Sequence, residues 1–359
     1  CGVLVAFLID LVYPDMGCND GGWNLADLKT YDVAIQDLCE ACFLPPVCYR
    51  SKIFQEMENE KIWTREWAAV GLQQQLVGPG DILPFTIGFS GIHIQKTNND
   101  NYEARFNRHQ HGGCRFVPEQ CRTGKQTKCT IASCNYTRDS KAIRAQEDGE
   151  ASDAMYKFVG LVPEKLHKVC LLNFGPVFLV NVDPGAKTEN ANHQGINIDN
   201  LADRALEVPQ DISEVWYDFN CNWKLLGKHF IESVAWDTEP SWLFPNLLYA
   251  ELNGKSVVVV MQATGMSKTL ARCYTPSSSF NSDKINACLK SIGEGAENTH
   301  SEFVSWGTSL KPNTEIDRMP TVENDNFLTF QRYLISKVTK EYSYEWNAPV
   351  MDGRMLQRR

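Results

Sequence analysis

The segment Val169–Val182, VCLLNFGPVFLVNV, constrains the fold more than any other stretch of the chain. It consists of two apolar runs around Gly175-Pro176, and Asp183-Pro184-Gly185 ends it. Short apolar runs bounded by turn residues are typical of buried strands. The segment therefore predicts two strands inside a sheet.

The remaining residue patterns predict a chain that mixes strands with a few long helices. They indicate strands at 215–219, 257–262 and 269–274, and helices at 53–72, 223–234 and 326–339. A sheet rich in antiparallel strands with a few long helices predicts the α+β fold class. The length of 359 residues favours two domains.

Composition excludes some partners. The formal net charge is −9 and no long Lys/Arg run occurs, which argues against nucleic acid and anionic membranes. The apolar run at residues 3–9 is too short to span a bilayer. It is either the tail of a secretory signal or a buried strand. We therefore expect no nucleic-acid partner and no membrane span.

Cysteine usage favours an oxidising compartment. The chain has 13 cysteines and a glycosylation sequon at Asn135–Thr137. With the apolar start, these features predict a secreted protein with disulfide bonds; a cytoplasmic or organellar location is the alternative. Cys39 and Cys42 have C-x-x-C spacing, which fits a redox pair, half a zinc site, a disulfide or plain packing.

Six motifs, in this order and spacing, resemble the α subunit of Rieske non-haem iron oxygenases, the group that includes choline monooxygenase. They are IWTREWAAVGL (62–72), GPGD (78–81), KFVGLVPEKL (157–166), FGPVFLVNVDPGA (174–186), WYDFNCNWKLL (216–226) and LARCYTP (270–276). The similarity covers roughly residues 45–340.

The resemblance implies a domain organisation. It places a Cys-rich N-terminal segment at 1–50, a Rieske-like β-sandwich domain for a 2Fe–2S cluster at 51–165, and a helix-grip (START-like) antiparallel sheet domain at 166–359. The second domain would surround a mononuclear iron. Such subunits usually form trimers, so we expect a homotrimer, with a monomer as the alternative.

The cluster-binding positions depart from the family pattern of C-x-H and C-x-x-H. His109 occupies the first cysteine position and His111 the first histidine position. In the second loop, Ile131 falls at the cysteine position and Cys134 at the histidine position. Because Ile131 cannot bind metal, we do not expect a conventional cluster.

Three interpretations of this segment remain open. The first is a zinc site or an atypical 2Fe–2S cluster held by His109, His111, Cys129 and Cys134. The second is a set of disulfides among the cysteines at 114, 121, 129 and 134. The third is a polar hairpin with surface histidines. We expect no cofactor, with zinc and the atypical cluster as alternatives.

The iron-binding positions depart further. The family binds iron with two histidines and one carboxylate. Glu232 matches the carboxylate that precedes the two histidines and that, in the family, bridges electron transfer from a neighbouring subunit's cluster. Ala235 and Pro240 occupy the histidine positions. The distant aspartate falls near Glu323 or Asp325. Iron held by this triad is therefore not expected.

A different site in the same place is a hypothesis. His229 and Glu232 are three residues apart on one predicted helix, Asp237 follows, and Asp325 is the distant carboxylate. These four candidate catalytic residues could bind a metal or act as general acid and base. Alternatively, Glu232 binds solvent or an arginine and His229 packs at the helix.

Two tryptophans admit two interpretations as well. Trp236 and Trp242 could form the aromatic walls of a pocket for an apolar ligand, or they could fill the old cavity as core.

Two functions follow. The first is an oxygen-dependent oxidoreductase, with monooxygenase- or luciferase-type chemistry on an apolar or aromatic small molecule and without the usual iron centres. The second is a catalytically silent small-molecule-binding or interaction protein on the same scaffold. The resemblance favours an enzyme, by analogy of fold.

Overall fold

The structure is a computed structural model, and it describes residues 19–88, 90–97, 101–106, 141–150, 152, 166–188, 195–196, 211–277, 282–306 and 312–341. The segment with His109, His111, Cys129 and Cys134 lies outside the described residues. So do the sequon and the apolar start.

The described strands, in chain order, are β1 (Asn19–Asp20), β2 (Trp23–Asn24), β3 (Ala68–Leu72), β4 (Ile82–Ile87), β5 (Ser90–Lys96), β6 (Tyr102–Phe106), β7 (Lys168–Phe174), β8 (Val177–Asn181), β9 (Gly195–Ile196), β10 (Ile212–Phe219), β11 (Ser241–Leu243), β12 (Leu247–Leu252), β13 (Lys255–Gly265) and β14 (Lys268–Pro276).

The described α-helices are α1 (Val47–Arg50), α2 (Lys52–Glu58), α3 (Trp223–Ile231), α4 (Ser282–Trp306), α5 (Pro312–Ile316) and α6 (Asp325–Val338). 3-10 helices occur at Leu28–Ala34 and Gln73–Gln75, and a π-helical turn at Asn59–Trp63.

Two six-stranded antiparallel sheets organise these elements. The first has the order β3-β8-β7-β6-β5-β4, and the second has the order β10-β14-β13-β12-β11-β9. The pairings within both sheets are antiparallel. Two such sheets combined with helices confirm the predicted α+β fold class.

The hairpin β7–β8 confirms the two strands predicted at Val169–Val182. Phe174 pairs with Val177 next to the turn, and every residue of β8 is buried. The hairpin joins the first sheet, because β7 pairs with β6 and β8 pairs with β3. The first sheet therefore extends to Asn181, beyond the boundary expected after residue 165.

The helix predicted at 53–72 is only partly helical. α2 and the π-helical turn account for Lys52–Trp63, whereas Ala68–Leu72 is strand β3. All five residues of β3 are buried, and they pair with β8. Tertiary pairing with a buried strand outweighs the local helical pattern here.

The helices of the second half agree better with the sequence. α6 confirms the helix predicted at 326–339. α3 begins at Trp223 as predicted but ends at Ile231, and Val234 beyond it is fully exposed. The 25-residue α4 was not predicted. No described helix is long and apolar enough to cross a membrane.

The N-terminal segment packs on α6. The side chain of Gln331, fully buried on α6, donates to the carbonyls of Ala34 and Cys42 at 2.8 Å each and accepts from the amide of Leu44 at 3.0 Å. Cys39 and Cys42 are both free thiols, so the structure contains the reduced pair rather than a disulfide.

An arginine joins the two sheets. Arg272 on β14 is fully buried, with its guanidinium 4.4 Å from the ring centre of Phe85 on β4 and 4.6 Å from that of Trp216 on β10. Cations at such distances from aromatic faces are attracted by the ring quadrupole. The contact fixes the second sheet against the first.

Candidate functional site

Helix α3 positions the candidate site. Its N-cap residue, Asn222, accepts a hydrogen bond from the amide of Lys224 at 3.2 Å and donates to the carbonyl of Met266 at 2.9 Å. Side-chain oxygens at the N-cap satisfy amides that have no partner within the helix. The helix is thereby anchored to the β13–β14 turn region.

His229 lies near the C-terminal end of α3, against α4. Its Nε2 is 3.0 Å from the hydroxyl of Thr299. Gly295 provides the space, because a Cβ at this position would lie 2.9 Å from Nδ1 of His229. Burial, assisted by the adjacent Lys228, lowers the pKa of His229 to about 4, so the imidazole is neutral at physiological pH.

Glu232 is the C-cap residue of α3 and is held by a lysine of the same helix. The ammonium of Lys228, one turn earlier, forms an ion pair with its carboxylate. The same ammonium lies 5.0 Å from the ring centre of Phe43 and 5.8 Å from that of Phe327. The sequence predicts that Glu232 binds solvent or an arginine if it is not catalytic, and the structure shows that it binds a lysine instead.

Asp237 and Asp325 are both exposed. The carboxylate of Asp237 accepts from the amide of Gly254 at 2.8 Å, which stabilises the β12–β13 turn. Asp325 is the first residue of α6, directly after the N-cap Asn324. No hydrogen bond or ion pair of the described residues joins any two of His229, Glu232, Asp237 and Asp325.

The two positions that the resemblance assigns to iron-binding histidines lie in different environments. Ala235 is exposed after the end of α3, whereas Pro240 is buried just before β11. Neither side chain has a donor atom for a metal. Within the described ranges, no group of three or more His, Cys, Asp or Glu side chains could hold a metal ion.

Aromatic side chains fill the space next to α3. Trp242 is almost completely buried and stacks on Phe330 of α6, with ring centres 3.8 Å apart and planes inclined by 19°. Trp223 contacts both rings edge-on, at 6.3 Å and 5.7 Å. The indole N–H of Trp242 donates to the carbonyl of Pro245 at 2.9 Å. Trp242 is therefore core, as the second interpretation of this residue held.

Trp236 is core as well. It is buried, its ring lies 4.6 Å from that of Phe230, and its N–H donates to the carbonyl of Phe230 at 2.7 Å. Buried tryptophans normally find such a hydrogen-bond acceptor. Both tryptophans thus stabilise the packing of α3 against its neighbours.

A small cavity remains between α3, α4 and the second sheet. The described residues that line it enclose about 10 Å³, the space of roughly one water molecule. Its lining is apolar and includes Phe219, Leu226, Val259, Cys273 and Leu289. A cavity without polar partners is expected to stay dry.

Sequence reasoning missed Lys228 and Phe43. The i, i+4 spacing of Lys228 and Glu232 is a usual ion-pair signal on a helix and could have been found. The contact between Phe43 and Lys228 could not have been found from the sequence, because Phe43 belongs to the N-terminal segment, far from Lys228 in the chain.

Solved structures resemble this fold along most of its length. The quaternary ammonium Rieske monooxygenase CntA in complex with its substrate L-carnitine aligns with a TM-score of 0.55 and 15% identity, over 89% of this chain and 99% of that chain. Naphthalene 1,2-dioxygenase bound to phenanthrene aligns with a TM-score of 0.56 and 12% identity, over 87% and 95%. The chain has the Rieske oxygenase fold.

A naphthalene 1,2-dioxygenase from Rhodococcus sp. bound to indole has the same Rieske oxygenase fold, with a TM-score of 0.55 and 9% identity over 87% of this chain and 98% of that chain. No protein-family model and no curated protein matches the sequence. Identities this low establish the fold alone, because one fold supports many different chemistries.

The mononuclear iron that the Rieske oxygenase fold implies does not fit the residues present. Iron in this class of site requires two imidazoles and a carboxylate. Ala235 and Pro240 offer no ligand atom, so of the three ligands only the distant carboxylate near Glu323 or Asp325 is present. Iron at this position therefore lacks the ligands that this class of site requires.

Proposed function

We propose that this chain is a catalytically silent binding or interaction protein built on the Rieske oxygenase fold. The ion pair between Lys228 and Glu232 carries the proposal. Glu232 matches the carboxylate that, in the family, bridges electron transfer to the iron site. Its pairing with a lysine neutralises it, and the ammonium opposes a metal cation nearby because like charges repel. The absence of histidines at positions 235 and 240 also disfavours metal binding.

The aromatic packing supports the same proposal. Trp242 and Phe330 are stacked and buried beside α3, the helix on which the resemblance places the iron site, so side chains of the core fill this space. Buried aromatic contacts stabilise a fold but offer few polar groups to orient a reacting molecule. The function would then reside in recognition of a partner or a small apolar or aromatic ligand.

A second function, an oxygen-dependent oxidoreductase, is favoured by one observation. His229 is a neutral imidazole next to Thr299, and a neutral imidazole can accept a proton from a substrate. An apolar substrate that itself transfers an electron to O2 would need no metal. The solved structures of similar fold are also those of oxygenases. Under either function we expect the protein to have no cofactor; zinc and an atypical 2Fe–2S cluster are the alternatives. We also expect a homotrimer or a monomer, and a secreted protein.

One set of measurements tests both functions. Natively purified protein is analysed for iron, zinc and acid-labile sulfide, and its O2 consumption is measured with aromatic and aliphatic compounds. A Rieske monooxygenase of known activity serves as the positive control. We expect neither iron nor O2 consumption.

O2 consumption that is abolished by His229→Gln would overturn the silent function in favour of the metal-free oxidoreductase. Stoichiometric iron in the protein would overturn both, whereas zinc without turnover would favour a zinc-stabilised binding protein.

A further inference from the structure

A short loop at the surface carries two free thiols in C-x-x-C spacing. Cys39 is exposed and Cys42 is half-buried. Cys39 has a φ of 71°, a left-handed conformation that is uncommon for residues other than glycine. The first thiol of the pair is therefore exposed to solvent, and the second is partly covered.

The backbone of the loop is fixed on both sides. The amides of Glu40 and Ala41 donate to the carbonyl of Asp37 at 2.9 and 2.8 Å, which closes a turn around Cys39. The amide of Cys39 donates to the carbonyl of Val322 at 3.2 Å, and that of Cys42 donates to the carbonyl of Val33 at 2.8 Å. These bonds fix the backbone of the loop at both cysteines, which are three residues apart.

The loop also connects to α6 and to the candidate site. Gln331 donates to the carbonyl of Cys42, and Phe43, the next residue, lies 5.4 Å from Phe327 between ring centres. Phe43 in turn contacts the ammonium of Lys228.

We propose that Cys39 and Cys42 form a thiol–disulfide exchange site whose substrate is a small-molecule disulfide such as oxidised glutathione. Cys39, as the thiolate, attacks one sulfur of the substrate, and the sulfur–sulfur bond of the substrate breaks. One thiol leaves, and a mixed disulfide forms on Cys39. Cys42 then attacks the sulfur of Cys39, the protein disulfide forms, and the second thiol leaves.

The two steps balance. The protein loses two hydrogen atoms and is oxidised, and one substrate disulfide is reduced to two thiols. The exposed thiol is the one that a dissolved disulfide can reach. Burial raises the pKa of Cys42, which makes it a poor first nucleophile and leaves it to resolve the mixed disulfide. This site is independent of the proposed silent function.

The experiment incubates the full chain with mixtures of reduced and oxidised glutathione and identifies the products on each cysteine by peptide mass spectrometry. In the wild type we expect one peptide that contains a Cys39–Cys42 disulfide and little mixed disulfide. In Cys42→Ser, glutathione should remain bound to Cys39. In Cys39→Ser, modification of Cys42 should be at least about tenfold slower, because that thiol is half-buried.

Cys170→Ser is the matched control. Cys170 is also half-buried, and its thiol donates to the carbonyl of Ala186 at 3.2 Å. Its replacement should leave the Cys39–Cys42 product unchanged. Circular dichroism verifies that each variant is folded. The proposal is overturned if the folded wild type keeps glutathione on Cys39 without forming the internal disulfide, or if neither thiol reacts.

Discussion

The side-chain amide of Asn246 forms two hydrogen bonds with the backbone of a single residue, Ala69. Its Oδ1 accepts from the amide of Ala69 and its Nδ2 donates to the carbonyl of Ala69, both at 2.8 Å. Ala69 lies on β3, an edge strand of the first sheet, and Asn246 precedes β12 of the second. The amide thus satisfies backbone groups that a neighbouring strand would otherwise pair.

Replacement of Asn246 by alanine should destabilise the protein by about 2–4 kcal/mol, because it leaves the buried amide and carbonyl of Ala69 without partners. Asn246 is itself 1% exposed and also donates to the carbonyl of Met261 at 2.8 Å. Urea unfolding measures the effect. Asn326→Ala, which removes a single exposed bond to Glu239, should change the free energy of unfolding by less than about 0.5 kcal/mol. Equal effects of the two changes would contradict the role of Asn246 at the sheet edge.

The buried ion pair of Lys224 and Glu58 leads to a second prediction. The two charged atoms are 2.6 Å apart, and the side chains are 0% and 3% exposed. Lys224→Met should cost about 3–5 kcal/mol at neutral pH, because it leaves the Glu58 carboxylate buried without its cationic partner. The double variant Lys224→Met with Glu58→Gln should recover part of this loss.

The decrease in the free energy of unfolding caused by Lys224→Met should be smaller at acidic pH. Burial raises the pKa of Glu58, and the Lys224 ammonium opposes that rise, so removal of the ammonium raises the pKa of Glu58 further. A folded-state pKa above the unfolded value favours folding at low pH, where the carboxyl is protonated in both states, and disfavours it as pH rises. Urea unfolding at pH 7 and at pH 5 checks the direction. A deficit that grows in acid would contradict this assignment.

Three histidines contribute to the way the free energy of unfolding depends on pH in the acid range. Burial lowers the pKa of His93 to about 3, and those of His229 and His300 to about 4, all below the usual 6.5. Between pH 6.5 and 4 the unfolded state binds more protons than the folded state, so the free energy of unfolding should fall as pH falls through this window.

The variant His229→Gln tests this contribution, because glutamine can keep a hydrogen bond to Thr299 and does not titrate. Its stability should fall less steeply than that of the wild type between pH 6.5 and 4, as measured by urea unfolding at several pH values. Asn326→Ala should keep the wild-type slope. A His229→Gln slope equal to that of the wild type would show that the imidazole is not buried in its neutral form.

The close packing of α3 against Trp242 gives a further prediction. A Cβ on Gly227 would overlap the six-membered ring of Trp242, which is stacked on Phe330 and cannot move aside easily. Gly227→Ala should therefore destabilise the protein by about 1–2 kcal/mol, since overpacking outweighs the gain in helix propensity.

Thermal or urea unfolding measures the effect of Gly227→Ala. Gly78→Ala is the control, because its Cβ would meet only the Asp81 carboxylate, at 4.0 Å, and it should change stability by less than about 0.5 kcal/mol. A Gly227→Ala protein more stable than the wild type would contradict the packing described for α3.

Local sequence determined the elements whose signals are short in range. The hairpin β7–β8 follows from two apolar runs around Gly175-Pro176, and α6 follows from the apolar spacing of residues such as Phe327 and Leu334. The absence of histidine at Ala235 and Pro240 is equally a property of the sequence. Each depends only on which residue types stand at neighbouring positions.

The tertiary structure decided the rest. Ala68–Leu72 became strand rather than helix because β8 offers a buried partner, and Glu232 became one half of an ion pair that Phe43 helps to enclose. Trp242 became core because Phe330 stacks on it from α6. These outcomes depend on contacts between residues far apart in the chain, whose energies exceed the local preferences that a sequence pattern reports.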